Sequence, residues 1–254
     1  MRWAALLVFL TLAGTGSGQD PAITVSAAIS LSEAFEDLAK AYAKEGGGPV
    51  RFNFAGSNVL ARQIVNGAPV DVFVSADEAQ MAAVEKAGSA RRGGAVPIAS
   101  NQLVVAALPE RVDAIRVAFP SASGEIRRLA IGDPAAVPAG VYAAAYLRSS
   151  GLWTSYESRI VPTGNVRAAL AAVENGGVDA AIVYATDVRQ STRARVAISI
   201  PPEQAPRIVY PAAVIETTKN RQAAERFLAF LQSLTARDVM ARHGFGPAGG
   251  AAPR

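Results

Sequence analysis

The stretch from residue 23 to residue 48 reads ITVSAAISLSEAFEDLAKAYAKEGGG and contains one complete strand-helix unit. Its first residues, 23–26, are rich in β-branched side chains, which predicts a β-strand. Apolar residues then recur at helical spacing until three consecutive glycines end the pattern. The residues on the predicted apolar face of this helix are Leu31, Phe35, Leu38, Ala39 and Tyr42.

The same alternation of short β-branched runs and helical periods continues to the end of the chain. The second predicted helix places Leu60, Ala61, Ile64 and Val65 on one face. The alternation predicts an α/β protein with mainly parallel sheets. Further strands are predicted at residues 50–55, 71–75, 129–132, 159–162, 180–184, 196–200 and 208–215, and the last helix at about residues 221–234.

The order of these elements predicts two domains. An apolar stretch at residues 102–108 could cross between them, and the alternation restarts after it. We expect residues 19–101 and 203–254 to form domain 1 and residues 102–202 to form domain 2, each a doubly wound, mainly parallel sheet. Two crossings make a hinge with a cleft, and open α/β sheets bind ligands at the carboxyl ends of their strands.

The first residues have the pattern of a secretory signal peptide. Met1 and Arg2 precede an apolar run at residues 3–12, and small and polar residues follow as far as Gln19. The run is too short to span a bilayer, which requires about 20 apolar residues. We expect cleavage after Gly18, so that residues 1–18 are removed and the remainder is a soluble periplasmic protein.

The composition excludes several classes of protein and partner. The chain has no cysteine, which excludes disulfides, thiolate metal sites and a lipid-attachment cysteine. The formal charge is only +4, and the arginines are scattered without interleaved aromatic residues, so we expect no nucleic-acid partner. We also expect no membrane anchor, and a monomer.

Catalytic motifs are missing from the sequence. It contains no G-x-S-x-G elbow, no Walker loop and no H-E-x-x-H motif. The one histidine, His243, precedes Gly244, a pair typical of the end of a helix. The carboxylates Asp71, Asp77 and Asp133 are too dispersed for a metal-cation site, and Asp77 is suited to cap its helix. We therefore expect no enzyme and no bound cation.

Two serines follow the first two predicted strands. Ser30 lies where the first helix is expected to begin, and Glu33 completes an S-x-x-E capping box with it. Ser57 follows Gly56 and is a favoured N-cap of the second helix. Each serine has two interpretations at this point: it only caps its helix, or its hydroxyl and backbone N–H donate to an anion.

Two later junctions offer backbone donors. Pro138 suits the first position of a helix, where its missing N–H costs nothing, and the next N–H groups, of Ala139 and Gly140, are left to bind something. Asn165 is a natural cap, which makes Val166 the first helical residue. Each helix N-terminus is equivalent to roughly half a positive charge, so four at one cleft give about +2 and favour a dianion.

Tyr184 closes a buried strand. A tyrosine in this position is interpreted either as a core residue with a solvated hydroxyl or as a ligand.

Several motifs along the chain are similar to those of one protein family. They are Ala27-Ala28-Ile29-Ser30-Leu31, Leu60-Ala61-Arg62-Gln63-Ile64, Gly67-Ala68-Pro69, Ser75-Ala76-Asp77, Gly132-Asp133-Pro134, Val137-Pro138-Ala139-Gly140, Asn165-Val166-Arg167, Ile182-Val183-Tyr184 and Gly244-Phe245. With these motifs in order, the chain resembles the periplasmic molybdate-binding proteins. The resemblance implies the two-domain periplasmic-binding-protein fold of the type II-like class, with the ligand in the interdomain cleft.

The resemblance also implies the site and the partners. It assigns to the ligand the hydroxyls of Ser30 and Ser57, the backbone N–H groups of Ala139 and Val166, and the hydroxyl of Tyr184. The ligand is then molybdate or tungstate, bound as an oxyanion without a cofactor and delivered to the inner-membrane permease of an ABC importer.

Alternatives stay open at this stage. The site could hold another tetrahedral oxyanion such as sulfate, and other classes are a secreted hydrolase and the effector domain of a transcription regulator. Two charged residues bear on the choice of ligand. The capping box would turn Glu33 back to the Ser30 backbone, whereas Arg167, which follows Val166, could reach an anion.

Overall fold

The structure, a computed structural model, describes residues 21–249, so the predicted signal peptide at residues 1–18 lies outside the described part. Within residues 21–249, no helix is long and apolar enough to cross a membrane. The strands are β1 (Ile23–Ala28), β2 (Val50–Ala55), β3 (Val72–Val74), β4 (Val96–Asn101), β5 (Leu103–Ala107), β6 (Leu129–Gly132), β7 (Ile160–Thr163), β8 (Ala180–Tyr184), β9 (Arg195–Ser199) and β10 (Ile208–Val214). The α-helices are α1 (Ser32–Lys44), α2 (Ser57–Val65), α3 (Glu78–Lys86), α4 (Val112–Ser121), α5 (Pro138–Ser149), α6 (Trp153–Tyr156), α7 (Val166–Glu174), α8 (Ala185–Gln190), α9 (Arg221–Phe230) and α10 (Leu234–Arg242).

In the described part of the chain, the strands form two five-stranded sheets. The first sheet has the order β2-β1-β3-β10-β4, and the second has the order β7-β6-β8-β5-β9. In the first sheet β10 runs antiparallel to β3 and β4, and in the second β5 runs antiparallel to β8 and β9. Four strands of each sheet therefore point the same way. The predicted α/β class with mainly parallel sheets is confirmed, with one reversed strand in each sheet.

In the apolar stretch at residues 102–108, only Gln102 lies between a strand of the first sheet and a strand of the second. Most of the stretch is β5, which is buried along its whole length inside the second sheet. A continuous apolar run is what a strand covered on both faces requires. The chain passes from the first sheet to the second at Gln102, between β4 and β5, and returns between β9 and β10.

The sequence pattern misses or misplaces several elements. Strand β4 and helices α4, α6 and α8 are not predicted, and the helix predicted at about residues 221–234 corresponds to α9, which ends at Phe230 and is followed by α10 from Leu234. Ser233 separates them because it caps α10, accepting a hydrogen bond from the N–H of Ala236 at 3.1 Å. Val65 is 46% exposed rather than buried, because it lies about 100° around α2 from Ile64.

The first helix packs much as its pattern predicts. Phe35 and Leu38 are fully buried against the first sheet. Tyr42 packs its ring 5.2 Å from that of Phe227 and 5.1 Å from that of Phe230, both on α9. These contacts attach α9 to α1.

Local start and stop signals are also confirmed. Asp77 caps α3 by accepting the N–H of Gln80 at 2.9 Å. His243 ends α10, and Gly244 follows with a φ of +89°, in the left-handed region that glycine adopts at little cost.

Candidate anion-binding site

The five residues assigned by the sequence, Ser30, Ser57, Ala139, Val166 and Tyr184, line one cavity between the two sheets. The wall comes from the loops that follow six strands, three in each sheet. The cavity is small, with about 10 Å³ open to the centre of a water-sized sphere. A ligand enclosed here must therefore be small and compact.

Ser30 is not a helix cap. A short 3-10 turn at Ile29–Leu31 separates β1 from α1, and neither the turn nor α1 begins with a side-chain cap. The Ser30 side chain is buried, and its Oγ lies 3.1 Å from the phenolic oxygen of Tyr210. The capping-box prediction is wrong because the turn displaces the helix start beyond Ser30.

Ser57 is not a cap either. Gly56 occupies the N-cap position of α2, and Ser57 is the first helical residue. The buried Ser57 Oγ instead accepts a hydrogen bond from the backbone N–H of Ala76 at 3.0 Å. Because that N–H can only donate, the hydrogen of the Ser57 hydroxyl is left to bond elsewhere.

Two helix starts bring backbone donors to the opposite wall. Pro138 is the first residue of α5, and Asn165 caps α7 by accepting the N–H of Ala168 at 2.9 Å, as predicted. Ala139 and Val166 therefore lie in first turns, whose N–H groups have no acceptor within the helix. Both residues are buried.

Helix α5 can approach the end of β6 this closely only because Gly140 has no side chain. A Cβ atom at this position would lie 1.9 Å from the backbone oxygen of Gly132. The pair of glycines thus determines where the start of α5, and with it the N–H of Ala139, lies.

Tyr184 is the last residue of β8 and is 1% exposed. Among the described residues, its hydroxyl has no hydrogen-bond partner. Burial raises the pKa of the Tyr184 hydroxyl well above its ordinary value, so the group keeps its proton and can donate. A buried hydroxyl without a partner costs about 1–3 kcal/mol, and an acceptor in the cavity would recover that cost.

No charged side chain lines the cavity in the described part of the chain. Arg167, the nearby cation considered from the sequence, turns to two carboxylates. Its guanidinium donates to both oxygens of Glu33 at 3.0 and 2.7 Å, and its Nε lies 2.6 Å from Asp187. Glu33 therefore pairs with Arg167 and does not turn back to the Ser30 backbone, which corrects the expectation from the capping box.

Asp187 is fully buried beside Arg167. Burial raises the pKa of this carboxyl to about 6, and the positive charge of Arg167 opposes the shift. Glu33 and Asp187 hold the guanidinium outside the cavity wall, whose donors are neutral hydroxyl and backbone N–H groups.

Two residues next to the site were not identified from the sequence. Tyr210 in β10 contacts Ser30, and Asn101 at the end of β4 donates to the phenolic oxygen of Tyr210 at 3.1 Å. Neither has a motif or a spacing that relates it to residue 30.

Neither a larger groove nor a metal-binding cluster in residues 21–249 competes with this cavity. A larger groove, of about 830 Å³, is lined by Thr186, Arg189 and Arg195 among others, and by none of the five predicted residues. Residues 21–249 contain no group of three or more His, Cys, Asp or Glu side chains that could hold a metal ion. His243 lies outside the cavity, with its Nε2 3.0 Å from Asp37.

Comparisons with known proteins agree with this architecture. The family model described as bacterial extracellular solute-binding protein matches residues 23–246. Molybdate-binding protein ModA of Escherichia coli (strain K12) is 33% identical over 247 residues, which cover 96% of each chain. The solved structure of the Azotobacter vinelandii periplasmic molybdate-binding protein superposes with a TM-score of 0.78 at 26% identity, covering 91% of this chain and 100% of the other.

A sulfate-binding protein also shares the fold. SubI from Mycobacterium tuberculosis H37Rv superposes with a TM-score of 0.79 at 20% identity, covering 90% of this chain and 87% of the other. At this identity the likeness shows the fold alone. Because the matched family consists of solute-binding proteins, the chain is a binding protein and not an enzyme. From the extent of the family match and the identity to its relatives, this chain belongs to the bacterial extracellular solute-binding proteins.

Proposed function

We propose that this protein binds molybdate, or tungstate, as an unprotonated dianion in the cavity between the sheets. The observation that carries the proposal is the set of donors around one cavity without a charged group, above all the buried Tyr184 hydroxyl with no partner in the described chain. The relatives named as molybdate-binding proteins support the choice of ion.

The chemistry of the wall suits such an ion. Molybdate at neutral pH offers only acceptors, and the wall offers three hydroxyls and two backbone N–H groups. Hydrogen bonds to a charged group contribute about 1.5–3 kcal/mol each, which can offset dehydration of the ion and closure of the protein. A net affinity between micromolar and nanomolar is expected, about −8 to −12 kcal/mol.

We further propose that the two sheets belong to domains that close on the ion. In this assignment residues 19–101 and 203–254 carry Ser30 and Ser57, and residues 102–202 carry the other three donors. The bonds between Glu33 on α1 and Arg167 on α7 link the two parts beside the cavity. Opening would separate the two sets of donors and release the ion.

The closed, loaded form would then be recognised by the permease of an ABC importer. The matched relatives support this role, and the sequence pattern of residues 1–18 supports export to the periplasm. After expression in a double-membrane bacterium, mass spectrometry of the periplasmic fraction should find a mature chain beginning within two residues of Gln19. A full-length chain retained in the cytoplasm would contradict the proposed location.

Calorimetric titration of the purified mature protein tests the choice of ligand. Molybdate and tungstate should bind with comparable affinity, since the two ions are nearly equal in size. Sulfate and phosphate should bind at least about a hundredfold more weakly, roughly 2.7 kcal/mol. Equal or tighter binding of sulfate would refute the molybdate assignment and favour a sulfate carrier.

A further inference from the structure

Tyr210 lies behind the site and has no role in the function proposed above. It is in the middle of β10 and is completely buried. Its phenolic oxygen contacts two side chains, the Oγ of Ser30 at 3.1 Å and the Nδ2 of Asn101 at 3.1 Å. The Ser30 contact joins residues 180 positions apart in the chain.

The direction of these hydrogen bonds is set by Asn101. Its Oδ1 accepts the backbone N–H of Gln102 at 2.9 Å, so the amide nitrogen faces the other way. That nitrogen donates to the Tyr210 oxygen and, at 2.9 Å, to the Oγ of Thr186. An amide NH₂ group can only donate, so the Tyr210 oxygen is the acceptor in its bond with Asn101.

The Tyr210 hydroxyl has a single hydrogen. Its bond with Asn101 does not use this hydrogen, because Asn101 is the donor. Burial raises the pKa of Tyr210 above its ordinary value, so the hydroxyl keeps this hydrogen. Among the described residues, Ser30 is the remaining contact of the hydroxyl, and the bond between them therefore runs from Tyr210 to the Ser30 oxygen. The hydrogen of Ser30 is then directed away from Tyr210.

We propose that Tyr210 is a positioning residue, which, held by Asn101, orients the Ser30 hydroxyl so that its hydrogen points into the cavity toward the anion. This rests on the function proposed above. Ser57 is oriented in a parallel way by the N–H of Ala76. Both serines thereby become donors to the ligand, and an oxyanion that still carries a proton meets no acceptor in them.

A double-mutant cycle between Tyr210→Phe and Ser30→Ala tests the proposal by calorimetry with molybdate. In the wild-type background, Tyr210→Phe should weaken binding about three- to tenfold, because the Ser30 hydrogen loses its preferred direction. In the Ser30→Ala background the same substitution should change the affinity by less than about twofold. In the Ser57→Ala background, Tyr210→Phe should still weaken molybdate binding by the full three- to tenfold.

Tyr156→Phe is the matched control. The Tyr156 hydroxyl is buried and donates to the backbone oxygen of Phe119 at 2.9 Å, outside the cavity wall. The Tyr156→Phe substitution should lower the melting temperature without weakening molybdate binding. An equal Tyr210→Phe effect with and without the Ser30 hydroxyl would show that Tyr210 acts through packing, which overturns the proposal.

These titrations distinguish a failure of the Tyr210 proposal from a failure of the molybdate assignment on which it rests. A wild-type protein that binds molybdate but gives an additive cycle contradicts the role of Tyr210 alone. If sulfate binds in place of molybdate, the molybdate assignment fails, and the cycle measured with sulfate still decides the role of Tyr210. A wild-type protein that binds none of these oxyanions contradicts both.

Discussion

The first-sheet wall of the cavity presents two serine hydroxyls, whereas the second-sheet wall presents two backbone N–H groups and one phenol. The serines are oriented by donors from elsewhere in the first sheet and its loops, Tyr210 and Ala76. The backbone N–H groups are oriented by the helices that contain them. A side-chain donor can be removed by one substitution, but a backbone donor is lost only when its helix moves. The two walls should therefore respond differently to mutation.

The largest effect is expected where a substitution displaces a helix start. In Gly140→Ala the new Cβ would lie 1.9 Å from the Gly132 oxygen, so α5 has to move. We expect a loss of molybdate affinity of at least about a hundredfold and about 1–3 kcal/mol of stability or more. Gly124→Ala is the control, because a Cβ there meets no atom of residues 21–249 within 4 Å. An affinity within about threefold of wild type for Gly140→Ala would show that the start of α5 does not bind the ion.

Removing a hydroxyl from the first-sheet wall should have the next largest effect. Ser30→Ala and Ser57→Ala should each weaken molybdate binding about ten- to a hundredfold, since a bond to a charged ligand contributes about 1.5–3 kcal/mol. Ligand-induced thermal stabilisation should shrink accordingly. Ser233→Ala, which removes a true N-cap, should cost about 0.5–2 kcal/mol of stability with little change in affinity. Unchanged titration curves for both site variants would refute the proposed site.

Tyr184→Phe should separate affinity from stability. It removes a donor to the ion, so we expect about tenfold weaker binding. In the ligand-free protein it also removes a buried hydroxyl that has no partner among the described residues, so the melting temperature should be unchanged or higher. Tyr156→Phe should lower the melting temperature without weakening molybdate binding, because the Tyr156 hydroxyl is hydrogen-bonded. A marked loss of stability in Tyr184→Phe, with affinity retained, would assign Tyr184 to the core alone.

The smallest effect on affinity is expected for a side chain whose backbone is the donor. Val166→Ala keeps the N–H and should weaken molybdate binding by about two- to threefold only. The loss of two buried methyl groups should still lower the free energy of unfolding by roughly 1–2 kcal/mol. A loss of affinity as large as that of Ser57→Ala would show that the valine side chain, and not the N–H, makes the important contact.

Predictions from sequence were accurate where the structural cause is local. Asp77 and Asn165 bond to backbone groups three residues away, and Gly244 ends its helix by its own backbone angle. Strand β8 was predicted at its observed bounds because a short, wholly apolar run between turn signals is a strong indication of a buried strand. Strand β4 was missed because its proline and polar residues break that pattern.

The capping predictions for Ser30 and Ser57 failed because the structural cause at these residues is not local. Both serines have the side chain that a cap requires, but neither lies at an N-cap position, and their oxygens bond to other parts of the chain, Tyr210 and Ala76. A local pattern cannot show that a distant donor competes for a side-chain oxygen.

The sequence by itself determined the alternation of strands and helices and placed small, neutral donors after the strand ends. Only the tertiary structure decided which way those donors point and where the nearby charges go. Ser30 meets Tyr210 from 180 residues away, and Glu33 meets Arg167 from 134 residues away. These partners are set by how the two sheets and their helices pack together, because hydrogen-bond direction and charge neutralisation depend on distances in space and not on spacing along the chain.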